Sequence, residues 1–158
     1  GREWSLAREG GLTTPWRSDG VDHITDRQIA LEQRALRRVP TPLLVCDTDV
    51  LATALWHERY VGSPALRLMA RAAAHTPDLY VLTGDEIPFV QDGWRDGEHL
   101  RHAMQERFRE ALAPQPAPWI EVRGSVDERI AAALPAIEVA VAARCAFGAP
   151  LTEPTRLE

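Results

Sequence analysis

Three short apolar runs divide this chain: Leu43-Leu44-Val45-Cys46 closing in Asp47, the stretch Asp78–Thr83, and Trp119–Val122. They recur at intervals of about 35 to 40 residues, and the residues between them carry apolar positions at helical spacing. Such an interval holds a strand and a helical crossover, which is what consecutive parallel strands need. The expectation is an α/β fold, a parallel sheet of three strands with helices on both faces. Sheets of that kind collect their chemistry at the carboxyl ends of the strands. Here those ends read Asp47-Thr48-Asp49, Thr83-Gly84-Asp85-Glu86 and Arg123-Gly124-Ser125.

The segments between the runs set the expected helices. Gly1–Arg8 reads as the tail of a helix, and Glu9–Gly20 as a loop carrying Gly10, Gly11 and Pro15. Asp22–Arg38 is periodic and is closed by Pro40 and Pro42; helical patterns continue over Val50–Tyr60, Ala65–Ala74 and His99–Ala113. A capping box at Ser125 and Glu128 opens a last helix running towards Arg144, with a kink expected at Pro135. Between Gly84 and Gly97 lies a loop of about fourteen residues, and loops that long inside a compact domain are usually functional.

Composition removes several classes of function. All 18 basic residues are arginine, so no Schiff base, lysine base or phosphate-loop lysine comes from these residues. A net charge of -5 argues against a nonspecific grip on nucleic acid or on an anionic membrane. The longest apolar stretches, Ile130–Leu134 and Val139–Ala143, fall far short of a membrane span, so the expected location is the cytoplasm. Cys46 and Cys145 lack partners at metal-ligand spacing, which fits a reducing compartment, and a homo-oligomer stays open.

Two stretches carry residue types suited to phosphate chemistry. Asp47 and Asp49 flank Thr48 at the end of an apolar run, where a carboxylate holds Mg²⁺ directly or through water beside a transferring phosphate. The plainer role for Asp49 is to cap the next helix. Pro88–Arg101 sets Asp92, Arg95, Asp96 and Arg101 around Gly93 and Gly97, with Phe89 and Trp94 interleaved. Arginines on such a loop suit a lid, spanning about residues 84–101, that closes over polyphosphate; the plainer reading is a solvated loop held by its own ion pairs. Trp94 is the best placed of five tryptophans to stack on a ligand ring, most of them reading as core or interface. His99 and His102 make half a metal site at most.

With these residues in view, the chain resembles the NadR-type ribosylnicotinamide kinase family, P-loop nucleoside-kinase-like ATPases. The resemblance runs through Gly1-Arg2-Glu3-Trp4, Asp26–Gln33, Val45–Asp49, Tyr60-Val61-Gly62 and Pro88–Arg95, with the Trp119–Val122 run and the closing helix behind them. It implies a three-layer P-loop kinase fold whose first strand, phosphate loop with lysine, following helix and second strand precede Gly1, so that residues 1–158 form the C-terminal part of one domain. It also implies ATP and Mg²⁺ as cofactors and transfer of the γ-phosphate to the 5'-hydroxyl of a nucleoside, ribosylnicotinamide in the namesake. On that pattern Asp47 is the metal-organising carboxylate and Asp49 its companion. Arg95 is the catalytic lid arginine, Asp92, Gly93, Arg101 and Arg2 lie on the ATP side, and Gln33, Phe89 and Trp94 on the nucleoside side. Phe89 stands where the family typically has tryptophan, and Gln91 where it has aspartate.

Two other readings compete. Leu43–Leu51 resembles the haloacid-dehalogenase phosphatase signature, with Asp47 as nucleophile and Asp49 as acid/base, although Leu51 departs from its last position. A third reading keeps the fold without catalysis, as a nucleotide-responsive or protein-binding module.

Overall fold

The computed structural model describes residues 15–90 and 98–146, and within them the longest run of buried residues is Val50 to Leu55. That run opens helix α2 (Val50–Val61), which follows α1 (Ser18–Leu36) and precedes α3 (Leu66–Ala74). Capping fixes both ends of α2. The Asp49 carboxylate accepts the Ala52 N–H at 2.8 Å, and Gly62, at φ 77°, turns the chain out of the helix while its N–H reaches the Glu58 carbonyl at 3.0 Å. A left-handed residue here is one that only glycine adopts without strain.

Two apolar clusters meet on α2. Val50, Leu51 and Leu55 pack with Ala72 of α3 and with Ala111 and Leu112 of α4 (Arg101–Leu112), while Ala54 packs with Val21 of α1, Ala65 and Leu68. Helix α2 is thus the element around which α1, α3 and α4 are arranged. Helix α1 begins four residues before its expected start at Asp22. The Asp19 carboxylate accepts the Gly20 N–H at 2.9 Å, and the Ser18 hydroxyl bonds Nε2 of the buried His57 at 2.8 Å, so Ser18–Gly20 forms a first turn where a loop was expected.

Strands β1 (Tyr80–Thr83) and β2 (Trp119–Val122) pair directly and in parallel, Tyr80 opposite Trp119 and Thr83 opposite Val122. A short 3-10 turn (Glu98–Leu100) and α4 form part of the connection between them. The expected parallel α/β pattern is therefore present, as a two-stranded sheet with five α-helices among the described residues. The third expected strand is absent. Leu43–Asp47 makes no ladder, and Leu43 and Val45 are 41% and 75% exposed. An apolar run becomes a strand only where a neighbour takes its backbone N–H and C=O groups, and no described strand lies beside this one. The second edge of β1 likewise has no strand partner among the described residues.

Helix α5 (Val126–Cys145) packs on β2 and opens with the expected capping box: the Glu128 N–H donates to the Ser125 hydroxyl at 3.3 Å, and the Ser125 N–H donates to the Glu128 carboxylate at 2.7 Å. Pro135 lies inside it without ending it. Its side chains Val126, Ile130, Leu134 and Val139 are exposed. No described helix is long and apolar enough to cross a membrane.

Leu51→Ala should lower the unfolding free energy by about 2 to 5 kcal/mol in urea titrations, since it opens a cavity where α2, α3 and α4 meet. Val45→Ala should change it by no more than about 0.5 kcal/mol. Equal costs at the two positions would restore Leu43–Asp47 as a buried strand.

Candidate active site

The turn Asp47-Thr48-Asp49 enters α2 and is held from three sides. Asp49 caps the helix through one carboxylate oxygen and its carbonyl accepts the Thr53 hydroxyl at 2.9 Å. From α1, the Gln28 amide donates to the Thr48 carbonyl and, at 2.9 Å, to Glu32. From β1, the half-buried Tyr80 approaches Asp49. Burial first, and then the Asp49 carboxylate, push the Tyr80 phenol well above its ordinary range, although no well-formed hydrogen bond joins the two and the buried hydroxyl has no other partner. Desolvation and the Glu32 and Asp49 carboxylates likewise push the Cys46 thiol up, so it stays protonated. The turn is a locally negative place, and Asp47 stands exposed in it.

Beside the turn lies a cavity of about 230 Å³ with a mainly apolar wall. Trp16, Trp56 and Tyr60 supply its aromatic faces, and Gln28, Thr48 and Thr53 its polar atoms. Tyr60 joins the two tryptophans, with ring centroids 5.8 Å from Trp16 and 6.1 Å from Trp56. Trp56 is braced from behind by Phe108 of α4, edge to face at 6.0 Å. Thr48 belongs to the cavity wall and to the acidic turn, so whatever occupies the cavity sits beside Asp47 and Asp49. Sequence reasoning missed this cavity, having assigned most of the tryptophans to core or interface and singled out Trp94 for stacking. The available signal was the aromatic pair Trp56 and Tyr60, four apart on the helix that follows the acidic turn.

The carboxyl ends of β1 and β2 hold a second charged cluster. Arg109 grips Glu121 with two hydrogen bonds of 2.7 Å, and Gln105 bridges the Thr83 carbonyl at 3.2 Å and Glu121 at 3.1 Å. Arg109, then Arg123 and Gln105, hold the Glu121 carboxyl down to about 2 against the opposing effect of its desolvation. Arg123 also reaches Asp85 and Glu86 at 3.4 Å, and His102 pairs with Asp85. Desolvation raises Asp85, but its own backbone N–H, His102 and Arg123 outweigh that and keep it below the usual carboxylate range. His102 therefore serves a carboxylate, and no group of three or more His, Cys, Asp and Glu able to hold a metal occurs among the described residues.

The structure brings Asp47 and Asp49 together with the cavity and leaves other expected site residues apart. Arg101 uses its guanidinium to bond the carbonyls of Asp85, at 2.5 Å, and Ile87, so it fastens the loop to the first turn of α4. Gln33 is exposed on α1, and Phe89 is half-buried in the loop. Arg2, Asp92, Gly93, Trp94 and Arg95 lie outside the described residues.

Comparison with known families matches residues 4–129 to the AAA domain. The chain belongs to the AAA domain family of P-loop nucleotide-binding proteins. The match takes in the acidic turn, the cavity and both strands, and it assigns the stretch that resembled a phosphatase signature to an AAA domain instead. An AAA domain carries the expectation of ATP and Mg²⁺, and it does not name a substrate. No curated protein and no solved structure matches the chain.

Because Glu121 titrates near 2 in the folded protein, below its ordinary value of 4.5, its contribution to stability is complete above the ordinary value and is lost as pH falls towards 2. Glu121→Gln should lower stability at pH 7 by about 1 to 3 kcal/mol and make the loss on acidification shallower. Chemical denaturation across that pH range tests this; an unchanged acid profile would remove Glu121 from the network.

Proposed function

We propose that this AAA domain transfers the γ-phosphate of ATP to the 5'-hydroxyl of a nucleoside, with ribosylnicotinamide the first substrate to test. The observation that carries the reading is the small aromatic cavity sharing Thr48 with the Asp47-Thr48-Asp49 turn. A nucleotide-hydrolysing motor has no need of an aromatic cavity beside its acidic turn, whereas a small-molecule kinase must hold its acceptor there. The volume agrees: about 230 Å³ lies below the roughly 300 to 1,000 Å³ of pockets for drug-sized ligands, which suits one heterocycle.

The residues present fit Mg²⁺. At phosphoryl-transfer sites this ion takes one or two carboxylates and completes its shell with phosphate and water, so the exposed Asp47 suffices without a cage of protein ligands. When bound, the ion neutralises phosphate charge and fixes the phosphate for in-line transfer. Asp49 spends one oxygen on the Ala52 N–H and thereby fixes the turn, which leaves the position of Asp47 defined by the helix behind it. Arg95 supplies cationic stabilisation as the phosphate moves.

In the full-length protein, Asp47→Asn should leave the thermal unfolding temperature unchanged and cut Mg²⁺-dependent phosphate transfer at least about a hundredfold. Activity within about threefold of the parent would take Asp47 out of the site. Arg95→Ala should lower kcat much more than it raises the KM for ATP, as expected for a contact made mainly in the transition state. An effect confined to stability would make Arg95 a surface ion-pair residue.

A further inference from the structure

We infer that Ser18 and His57 form a second chemical site, a nucleophilic serine with its general base, which takes the acyl group of a small neutral ester. Neither the Asp47 turn nor phosphate transfer enters it: Ser18 opens α1, and Gln28, which reaches the turn, lies about 15 Å further along that helix.

The Ser18 hydroxyl lies 2.8 Å from Nε2 of His57, within the reach that an activated hydroxyl needs of its base. Nδ1 of the same ring lies 3.2 Å from the Ser63 carbonyl, which can only accept a hydrogen bond. Nδ1 therefore carries the proton, and Nε2 presents its lone pair to the Ser18 O–H. The left-handed turn at Gly62 brings the Ser63 carbonyl back to the ring. The two side chains also differ in exposure as nucleophile and base should. Ser18 faces solvent, whereas His57, on α2, is 5% exposed and held at both nitrogens.

On attack, the Ser18 Oγ bonds to the ester carbonyl carbon as its proton passes to Nε2 of His57. Collapse of the tetrahedral adduct breaks the bond to the leaving oxygen, which takes that proton and departs as the alcohol. Water, deprotonated by the same nitrogen, then attacks the acyl-serine; the carboxylic acid leaves and the Ser18 Oγ recovers the proton. Ser18 is the first residue of α1, and the positive end of the helix dipole favours the negative charge that gathers on the carbonyl oxygen. Arg17 and Asp19 flank the serine as a pair 3.6 Å apart and offset each other, which suits a neutral donor. With a carbonyl in the orienting place, the imidazolium gains no counter-charge there, so the rate gain belongs at the lower end of the range for general-base catalysis.

The test treats the full-length protein with p-nitrophenyl acetate, quenches with acid and locates acetyl groups by peptide mass. Ser18 should be acetylated about a hundredfold faster than the exposed Ser125, whose hydroxyl faces a carboxylate instead of an imidazole. Its acetylation should run about twofold slower in D₂O than in H₂O, because a proton moves during attack. Both are read on the parent protein, so they decide the matter even where a variant at the buried His57 does not fold. Ser18→Ala should remove the label together with the fast release of nitrophenolate. His57→Gln, with its unfolding temperature measured alongside, should bring Ser18 down to the rate of Ser125. Labelling of Ser18 no faster than that of Ser125, equal rates in the two solvents, acetyl groups confined to His57 or the cysteines, or fast labelling that survives His57→Gln would overturn the proposal.

Discussion

The capped, buried start of α2 is the constraint on which the rest of the molecule depends. Asp49 closes the helix end, Val50 to Leu55 disappear into the core, and α1, α3 and α4 are packed against the result. A cap is worth about 0.5 to 2 kcal/mol, and the apolar run behind it about 1.5 to 3 kcal/mol for each large side chain fully buried. Side chains held that firmly carry their neighbours with them. The acidic turn therefore has a defined position through its attachment to the core, and the aromatic cavity shares that attachment through Thr53, Trp56 and Tyr60 on the same helix.

The two charged regions divide the work differently. At the strand ends, Arg109 and Arg123 are committed to Glu121, Asp85 and Glu86, and Arg101 to loop carbonyls. These cations hold the sheet, α4 and the Gly84 loop together, Arg109 and Arg123 through carboxylates and Arg101 through backbone carbonyls. The Asp47 turn has the opposite character, with carboxylates gathered near Tyr80 and Cys46. A chain without lysine cannot add a flexible ammonium to redress that balance. On the proposed function the cationic contribution comes from Arg95.

Several features were legible in the sequence because they rest on local chemistry. Ser125 and Glu128 specify their capping box within one turn, and the periodicity of Val50–Tyr60 and of Ala65–Ala74 identified α2 and α3 to within a residue or so at each end. The runs at Tyr80 and Trp119 became the paired strands, each having found the other. Leu43–Asp47 has the same apolar character and is no strand here, because pairing is a property of two segments and a sequence window displays one. The start of α1 was misplaced for a similar reason: Gly20 argued for a loop, while the contact that favours helix at Ser18 comes from His57, distant in sequence. The cavity escaped notice because it requires Trp16 and α2 to be adjacent, which follows from the packing of α1 on α2.

A nucleoside kinase and an ATPase differ in whether the phosphate goes to an acceptor molecule or to water. The most direct measurement is phosphorus NMR of the full-length protein with ATP, Mg²⁺ and ribosylnicotinamide, repeated with a panel of other nucleosides. A nucleoside kinase gives a nucleoside 5'-phosphate resonance that grows in step with ADP, with little inorganic phosphate, and this is the expected result. ADP accompanied by inorganic phosphate alone, whatever nucleoside is present, would show an ATPase and contradict it.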